Sequence, residues 1–278
     1  MQLYDYTALK ISKVVTTSYS TSFSMATSML DKNHRKAIYA IYGFVRFADE
    51  IVDTFHDFKK EELLKKFEAD LQDALKQGIS LNPILHSFQI VVKKYNIPYQ
   101  YIDAFLTSMK NDLNKKHYIS KPEADEYIYG SADVVGLMCL RVFTDGDEAR
   151  FSELKEPAMK LGSAFQKVNF LRDMKNDTEE LGRIYFPNLV TDDFNEKNKQ
   201  KIIADIEADF YDAFQGIKQL PKSTKTAVLS AYYYYHELLL KIKNTPAEKI
   251  MDLRVRISNF KKITLLVKAT VLCKLNVI

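Results

Sequence analysis

Apolar residues recur every three or four positions along most of this chain, and that periodicity predicts an all-α protein. Alternating strand patterns bounded by turn residues are scarce. Pro83 and Pro122 open helices, Gly182 ends one, and Asn33 is the predicted N-cap of the second helix. The predicted helices cover residues 6–29, 33–53, 60–77, 83–95, 99–115, 122–143, 151–180, 196–218, 222–243 and 247–275, and residues 188–199 form the predicted loop.

The predicted helix 33–53 carries one stripe of aromatic and charged residues among apolar ones. Successive intervals of three, four, three and four residues place Tyr39, Tyr42, Arg46, Asp49 and Asp53 on a single face. Apolar residues cover much of the remaining circumference, which is typical of a helix buried in protein. The two carboxylates therefore lie one turn apart and are predicted to face an internal cavity.

The predicted helix 151–180 repeats this arrangement 124 residues later. Its stripe consists of glycine, amides and carboxylates, and an arginine, Arg172, precedes the first aspartate as Arg46 does in the other helix. A polar stripe of this kind is either a solvent face or the lining of a cavity, and the apolar flanks favour the cavity. At intervals of four, three, four and four, its members are Gly162, Gln166, Asn169, Asp173 and Asp177.

Two aspartates four residues apart are a weak signal when taken alone. With 21 aspartates in the chain, random placement gives about 1.6 such pairs, and the chain has four, at 49/53, 53/57, 173/177 and 205/209. The pair Asp205 and Asp209 has no adjacent arginine, so we predict that it lies on the solvated surface. An exposed, salt-bridged helix face is the alternative for 49/53 and 173/177, and the occurrence of two matching stripes argues against it.

Carboxylates in a cavity require compensation, because an unpartnered buried charge costs several kcal/mol. Arg46 and Arg172 balance one charge each, so four clustered aspartates exceed them. Mg²⁺ would resolve the excess, since it prefers oxygen ligands and is commonly held by a few carboxylates and substrate phosphates. The same ions would neutralise a departing diphosphate, and arginines add bidentate contacts to phosphate oxygens. The pattern therefore predicts a metal and diphosphate site.

Composition and charge narrow the remaining possibilities. The net charge is +4 and the basic residues are spread out, so nucleic acid is not an expected partner. With eight glycines and seven prolines, no flexible linker is visible, and residues 1–278 are predicted to form a single domain. The two cysteines, Cys139 and Cys273, lie far apart in apolar runs, which favours buried thiols in a reducing compartment.

The chain shows neither a secretory signal nor a run of about 18 uncharged apolar residues. We therefore expect a cytoplasmic protein. Its C-terminal run, ITLLVKATVLCKLNVI, is interrupted by Lys268 and Lys274. A core-packing helix is one interpretation of this run, and a helix lying on a membrane surface is the other.

With these residues identified, the chain resembles the squalene/phytoene synthase family almost from end to end. The segment at 161–187, which joins the second aspartate motif to a Gly-Arg-x-Tyr-x-Pro tail, is the most specific match. The quoted segments are SYSTSFSMA (18–26), RKAIYAIYGFVRFADEIVD (35–53), YIYGSADVVGLMCLRVF (127–143), LGSAFQKVNFLRDMKNDTEELGRIYFP (161–187), AYYYYHELLLKI (231–242) and RVRISNFKKI (254–263).

The resemblance implies an isoprenoid synthase fold, a helical bundle around a central cavity, and a prenyltransferase that joins two prenyl diphosphates head to head. Two geranylgeranyl diphosphates giving phytoene, through a cyclopropylcarbinyl diphosphate, is the leading expectation, as in carotenoid biosynthesis. The alternative is a squalene or dehydrosqualene synthase that uses two farnesyl diphosphates. Mg²⁺ is the implied cofactor, with Mn²⁺ as a substitute, and NADPH is expected only for a squalene synthase.

The resemblance also assigns roles by position. Metal ligands are Asp49, Asp53, Asp173 and Asp177, and phosphate contacts are Arg46 and Arg172. The reaction centre and prenyl pocket involve Tyr42, Gln166, Asn169 and Phe23. Val135 and Gly136 mark a helix break whose carbonyl groups face the cavity. Tyr235 and Arg254 belong to the weaker terminal motifs, and core packing is expected instead for residues 232–234.

Two positions depart from the family pattern. Glu50 stands where many members have an aspartate, and it keeps the carboxylate. Asp133 stands where many members have a small residue. Its carboxylate either caps the helix locally or contacts the cavity. Two other classes of function stay open: a non-catalytic helical assembly factor, and an adaptor whose acidic motifs are exposed. As an enzyme, the protein is expected to be a monomer or weak dimer, with peripheral contact at the inner membrane face for product release.

Overall fold

The fold is all-α, and in this computed structural model it is described for residues 1–187, 189 and 194–278. Within those residues no β-strand forms, apart from one isolated bridge between His117 and Ile184. The helices are α1 (Gln2–Tyr19), α2 (Thr21–Thr27), α3 (Lys32–Asp53), α4 (Lys60–Gln77), α5 (Pro83–Lys94), α6 (Tyr99–Asn114), α7 (Lys121–Ile128), a π-helix (Tyr129–Asp133), α8 (Val134–Phe143), α9 (Glu148–Glu179), α10 (Glu196–Ile217), α11 (Lys222–Lys243), α12 (Ala247–Asp252) and α13 (Asn259–Lys274).

Several predicted ranges differ from the structure. The range 6–29 forms two helices divided at Ser20, and the range 122–143 is interrupted by the π-helix. The N-cap of α3 is Asp31 rather than Asn33, because the Asp31 carboxylate accepts hydrogen bonds from the backbone N–H groups of Asn33 and His34. The predicted helix 247–275 is interrupted by an extended stretch between α12 and α13. The predicted loop 188–199 lies partly outside the described residues, and its last four residues belong to α10.

The bundle has two main cores, and α9 contributes buried residues to both of them. In the first core, α3 packs with α5, α6 and α8, and the ring of Phe44 stacks on that of Phe88 at 4.1 Å. In the second, α9 packs with α10 and α11 around buried residues such as Ala164 and Phe210. We propose on this basis that the chain forms one domain, and each core holds one of the two polar stripes in place.

The helix break predicted at Val135 and Gly136 is displaced. Both residues lie in the first turn of α8, and the irregular backbone is the π-helix directly before it. This segment is in close contact with α9, since a Cβ added to Gly162 would come within 2.9 Å of the Ala132 carbonyl oxygen. A π-helix holds an extra residue in its turn while the helix continues, and such segments are frequent at functional sites.

No helix within the described residues is long and apolar enough to cross a lipid bilayer. The C-terminal run forms α13, and its inner face contributes Leu265 and Ala269 to buried positions. The core-packing interpretation therefore accounts for one face of this helix.

Candidate active site

The polar stripe of α3 is organised around Arg46. Its guanidinium donates to Asp49 Oδ2 at 2.5 Å and to the carboxylate of Glu50. The same group lies 4.4 Å from the ring centre of Tyr19 in a cation–π contact. Arg46 Nε is buried without a hydrogen-bond partner in the described structure. The guanidinium is thus fixed in place and retains one unused donor.

The stripe of α9 carries a second group of arginine contacts. Arg172 Nε donates to Asp173 Oδ1 at 3.0 Å, and Arg254, which precedes α13, reaches the same oxygen atom with its Nε at 2.6 Å. Arg254, a predicted site residue from a weaker terminal motif, thus contacts the second aspartate motif. Asp173 is four-fifths buried between the two arginines, with 20% of its side chain exposed.

A third contact joins the two aspartate motifs, and sequence reasoning missed it. The guanidinium of Arg183 donates from Nη1 to Asp53 Oδ1 at 2.7 Å, while its backbone N–H donates to the carbonyl of Asp177 at 2.7 Å. Arg183 is the arginine of the Gly-Arg-x-Tyr-x-Pro tail, so the signal was present in the sequence without an assigned role. The residue holds the ends of α3 and α9 together.

Below Arg183 lies a buried carboxylate that no sequence pattern pointed to. Arg183 Nη2 donates to the Asp112 carbonyl at 2.9 Å, and the Asp112 carboxylate accepts from Tyr127 at 2.6 Å and from Tyr118 at 3.4 Å. The ring of Tyr185 stacks at 5.2 Å on that of Tyr127. Burial is the main cause that raises the pKa of Asp112 to about 7, and the charge of Arg183 opposes it.

The acidic groups strongly perturb one another. Burial and then the charge of Asp53 raise the pKa of Asp49 to about 7, although 36% of its side chain is exposed. Burial, followed by the charges of Asp173 and Asp53, raises the pKa of Asp177 to about 7. The two motifs therefore affect each other across the gap between α3 and α9, as opposed stripes should.

The predicted charge balance needs one correction. Four arginines, not two, lie among the acidic groups, so the four aspartates alone do not outnumber them. Glu50 and Asp112 restore the acidic excess. The six carboxylates thus outnumber the four arginines near them, and these arginines can also bind phosphate oxygens. The arginines are Arg46, Arg172, Arg183 and Arg254.

Several features fit a divalent cation bound jointly with diphosphate. Asn169 Oδ1 is buried without a hydrogen-bond partner, and Asp177 forms no ion pair with an arginine in the described structure. These are hard oxygen donors of the kind Mg²⁺ prefers. No group of three or more His, Cys, Asp or Glu side chains among the described residues converges closely enough to hold a metal ion by itself. Diphosphate oxygens would complete the coordination.

An apolar cavity of about 270 Å³ lies along α9, on the N-terminal side of its aspartates. Its lining includes four predicted site residues, Phe23, Val135, Gly136 and Gln166, together with Cys139. Tyr42 stacks on Phe23 at 4.8 Å, so it lies at the side of the cavity. The stripe of α9 lines the cavity at Gln166, and at 1.5 Å per residue its aspartates follow within roughly 16 Å.

The four consecutive tyrosines of α11, at 232–235, point to different sides of the helix. Tyr235 stacks on Phe165 of the cavity wall at 4.0 Å, and burial is the main cause that raises its pKa. Tyr232 instead packs into the second core, where its ring meets Phe210 edge-on at 5.3 Å. Tyr235 is thus the member of the run that adjoins the cavity.

The prediction for the fourth aspartate pair is wrong for one of its members. Asp209 is buried, with 3% of its surface exposed, and it accepts from Lys167 at 2.7 Å and from Lys160 at 2.9 Å. Asp205 remains more exposed and also contacts Lys167. The lysines come from the neighbouring helix α9, and their charges compensate the burial.

Asp133 forms a local contact with α9. Its carboxylate accepts from Ser163 Oγ at 2.8 Å, and burial raises its pKa to about 7 although this hydrogen bond lowers it. The residue therefore joins the end of the π-helix to α9, while its neighbours Ser131 and Ala132 line the cavity.

The geometry can be compared with known proteins. The family model described as squalene/phytoene synthase matches residues 16–261. The chain belongs to the squalene/phytoene synthase family. The matched range includes both aspartate motifs.

Relatives and solved structures agree with this assignment. Phytoene synthase 2, chloroplastic, of Oryza sativa subsp. japonica is 28% identical over 244 residues, covering 81% of this chain and 61% of its own length. The 15-cis-phytoene synthase of Pantoea ananas is 24% identical over 275 residues, covering 90% and 87%. A dehydrosqualene synthase structure has a TM-score of 0.83 at 22% identity and covers 98% of both chains. The chain spans about three fifths of the length of the plant relatives it matches.

Proposed function

We propose that the protein is a prenyltransferase that condenses two prenyl diphosphates head to head, with two geranylgeranyl diphosphates giving phytoene as the preferred reaction. One observation carries the proposal: an acidic, arginine-rich end and an apolar cavity share the stripe of α9, from Gln166 to Asp177. A prenyl diphosphate has the same division, an anionic head and a hydrocarbon tail. The relatives named phytoene synthase support the choice of product.

The arginines are proposed to bind and orient the diphosphate. Arg46 and Arg172 lie on opposed helices, and their planar guanidinium groups suit bidentate contact with phosphate oxygens. Mg²⁺, or Mn²⁺ in its place, would be held by Asp49, Asp53, Asp173 and Asp177 and, when bound, would neutralise the departing diphosphate as a Lewis acid. Asn169 offers a further oxygen atom at the same place.

The cavity is proposed to protect the carbon chemistry. Departure of the first diphosphate leaves an allylic cation, the double bond of the second substrate attacks it, and loss of a proton closes the three-membered ring of a cyclopropylcarbinyl diphosphate. Departure of the second diphosphate and rearrangement give another cation, and loss of a second proton yields the linear hydrocarbon phytoene. The stacked pairs Phe23–Tyr42 and Phe165–Tyr235 present aromatic faces that stabilise a cation and exclude water.

The test offers both substrates to the purified protein. With Mg²⁺ and labelled geranylgeranyl diphosphate, phytoene should form, and EDTA should abolish its formation. Products from farnesyl diphosphate alone, squalene or dehydrosqualene, would replace the proposed product while keeping the reaction class. No product from either substrate, with or without NADPH, would favour a non-catalytic assembly factor.

A matched pair of variants tests the acidic site itself. Asp173→Asn should lower turnover by about a hundredfold or more, because it removes one of the carboxylates proposed to hold Mg²⁺, while the circular dichroism spectrum should be retained. Asp125→Asn, at an exposed ion pair with Lys121, should leave turnover unchanged. Equal turnover in the two variants would remove Asp173 from the site.

From the sequence, we also propose that the protein works in the cytoplasm as a monomer or weak dimer. We also propose peripheral contact with a membrane, into which the hydrocarbon product would pass.

A further inference from the structure

Only one face of the last described helix, α13, packs against the rest of the protein. It packs against α11, and Leu265 and Ala269 are buried on its inner face. Lys261 is tied to Glu237 at 2.8 Å, and the ammonium of Lys268 lies 4.4 Å from the ring centre of Tyr233. These contacts fix which face of the helix points outward.

The outer face of α13 is a continuous apolar stripe. Its residues follow one another at intervals of three, four, four and four, so they lie on one side of the helix and its last turn. Each of them is about half exposed or more, and folding therefore leaves the stripe in contact with solvent. They are Phe260 (77% exposed), Ile263 (52%), Val267 (52%), Val271 (47%) and Leu275 (68%). We name this set the α13 stripe.

The chain segment that carries the α13 stripe has charges of one sign only. Residues 253–278 hold six of the 40 lysines and arginines and none of the 36 acidic residues. Residues 1–252 therefore hold 34 basic and 36 acidic residues, so the positive net charge of the chain comes from this last segment. Lys261 and Lys268 stand along one edge of the stripe, and Lys274 stands near its C-terminal end.

We propose that the α13 stripe docks on an anionic lipid surface, with the helix axis parallel to the membrane. An amphipathic helix with an apolar face and lysines beside it binds at the level of the headgroups, where the lysines reach anionic lipids. The helix lies on the bilayer and does not cross it, in keeping with its 16 residues.

Charge decides between a membrane and a second copy of the chain. A symmetric contact of one α13 stripe with another would bring two segments of six positive charges together, and like charges across an interface oppose association. An anionic bilayer offers the complementary charge, because its negative surface potential attracts basic residues that lie near it.

The basic segment that carries the α13 stripe also contacts the candidate active site. Arg254 opens the basic segment and is bonded to Asp173 of α9 at 2.6 Å. Docking would thus hold the site close to a lipid phase, which is where a hydrocarbon product dissolves. That benefit rests on the proposed function, whereas the binding itself does not.

Vesicle co-sedimentation tests the proposal without any substrate. The full chain should sediment with vesicles of equal parts phosphatidylcholine and phosphatidylglycerol, and much less with phosphatidylcholine alone. The double variant Ile263→Glu, Val267→Glu should weaken binding to the anionic vesicles by at least about tenfold, because it removes two apolar contacts and adds two repelled charges.

A charge-matched control separates the stripe from net charge. Leu81→Glu with Tyr211→Glu replaces two other exposed residues, 93% and 69% exposed, and should bind as the original protein does. Circular dichroism and thermal melting confirm that each variant is folded. Unchanged binding in the α13 variant, or equal loss in the control, would overturn the proposal.

Sedimentation equilibrium tests whether the α13 stripe instead joins two copies of the chain. If the original chain dimerises, ignores vesicles, and becomes monomeric only in the α13 variant, the stripe is an interface between copies and the membrane proposal is wrong. A chain that binds vesicles but forms no hydrocarbon would refute the proposed function and leave the docking surface intact.

Discussion

Replacing Asp177 by asparagine should stabilise the metal-free protein while destroying its activity. Burial and the charges of Asp173 and Asp53 raise the pKa of this carboxyl from 3.8 to about 7. At about 1.4 kcal/mol per pKa unit, the ionised form opposes folding at pH 8 by at most about 4 kcal/mol. Partial exposure and local relaxation reduce that figure, so we expect a gain of about 1–3 kcal/mol.

The direction of the pH dependence follows from the same numbers. Because the folded pKa lies above the unfolded one, the native state holds the extra proton between about pH 4 and pH 7. The contribution to stability is complete below the unfolded pKa and is lost as the pH rises through the folded pKa. In EDTA, the original protein should therefore be more stable at pH 6 than at pH 8, and the Asp177→Asn variant should show a smaller difference.

Urea unfolding followed by circular dichroism measures both effects. Mg²⁺ with inorganic diphosphate should stabilise the original protein more than the variant, since ligands that bind only the native state add to its stability. Asp125→Asn, on the surface beside Lys121, should change the free energy of unfolding by about 0.5 kcal/mol or less. If Asp177→Asn is no more stable than the original protein at pH 8 in EDTA, the electrostatic reasoning is refuted.

Two further variants test contacts between helices. Arg183→Lys should reduce turnover by about tenfold or more in a steady-state assay, because a lysine cannot reach both Asp53 and the carbonyl of Asp112 as the guanidinium does; unchanged turnover would count against that role. Gly216→Val should destabilise the protein by about 1–3 kcal/mol in urea unfolding, because a Cβ there would lie 2.3 Å from Pro157 Cβ in the wall of the cavity. In a double-mutant cycle with Pro157→Gly, which removes that Cβ, the combined loss should be smaller than the sum of the two single losses, and additive losses would place the conflict elsewhere.

Local patterns predicted the helices well where one face is strongly apolar. The predicted ranges 60–77 and 222–243 coincide with α4 and α11. At α3 both Asp31 and Asn33 are good capping residues, and only the folded backbone decides between them. The stretch before α13 is extended where Arg254 reaches Asp173, and this contact depends on a residue 81 positions earlier, in α9.

The sequence likewise predicted only some residues of the candidate site. The two stripes could be read from spacing, since a helix brings residues three and four apart to one face. Asp112 could not, because it lies alone on α6 and gains its environment from Tyr127 and from Arg183, which follows α9. Asp209 was placed on the surface because Lys160 and Lys167, its partners, belong to another helix.

Cys139 places a sulfur atom in the wall of a cavity that, under the proposed function, must host an electron-deficient carbon. The thiolate, not the thiol, is the strong nucleophile, and burial raises the pKa of this thiol to about 12. At neutral pH only about one molecule in 10⁵ would carry the thiolate. The apolar lining that accommodates the substrate thus also protects the protein from alkylating itself during repeated turnover.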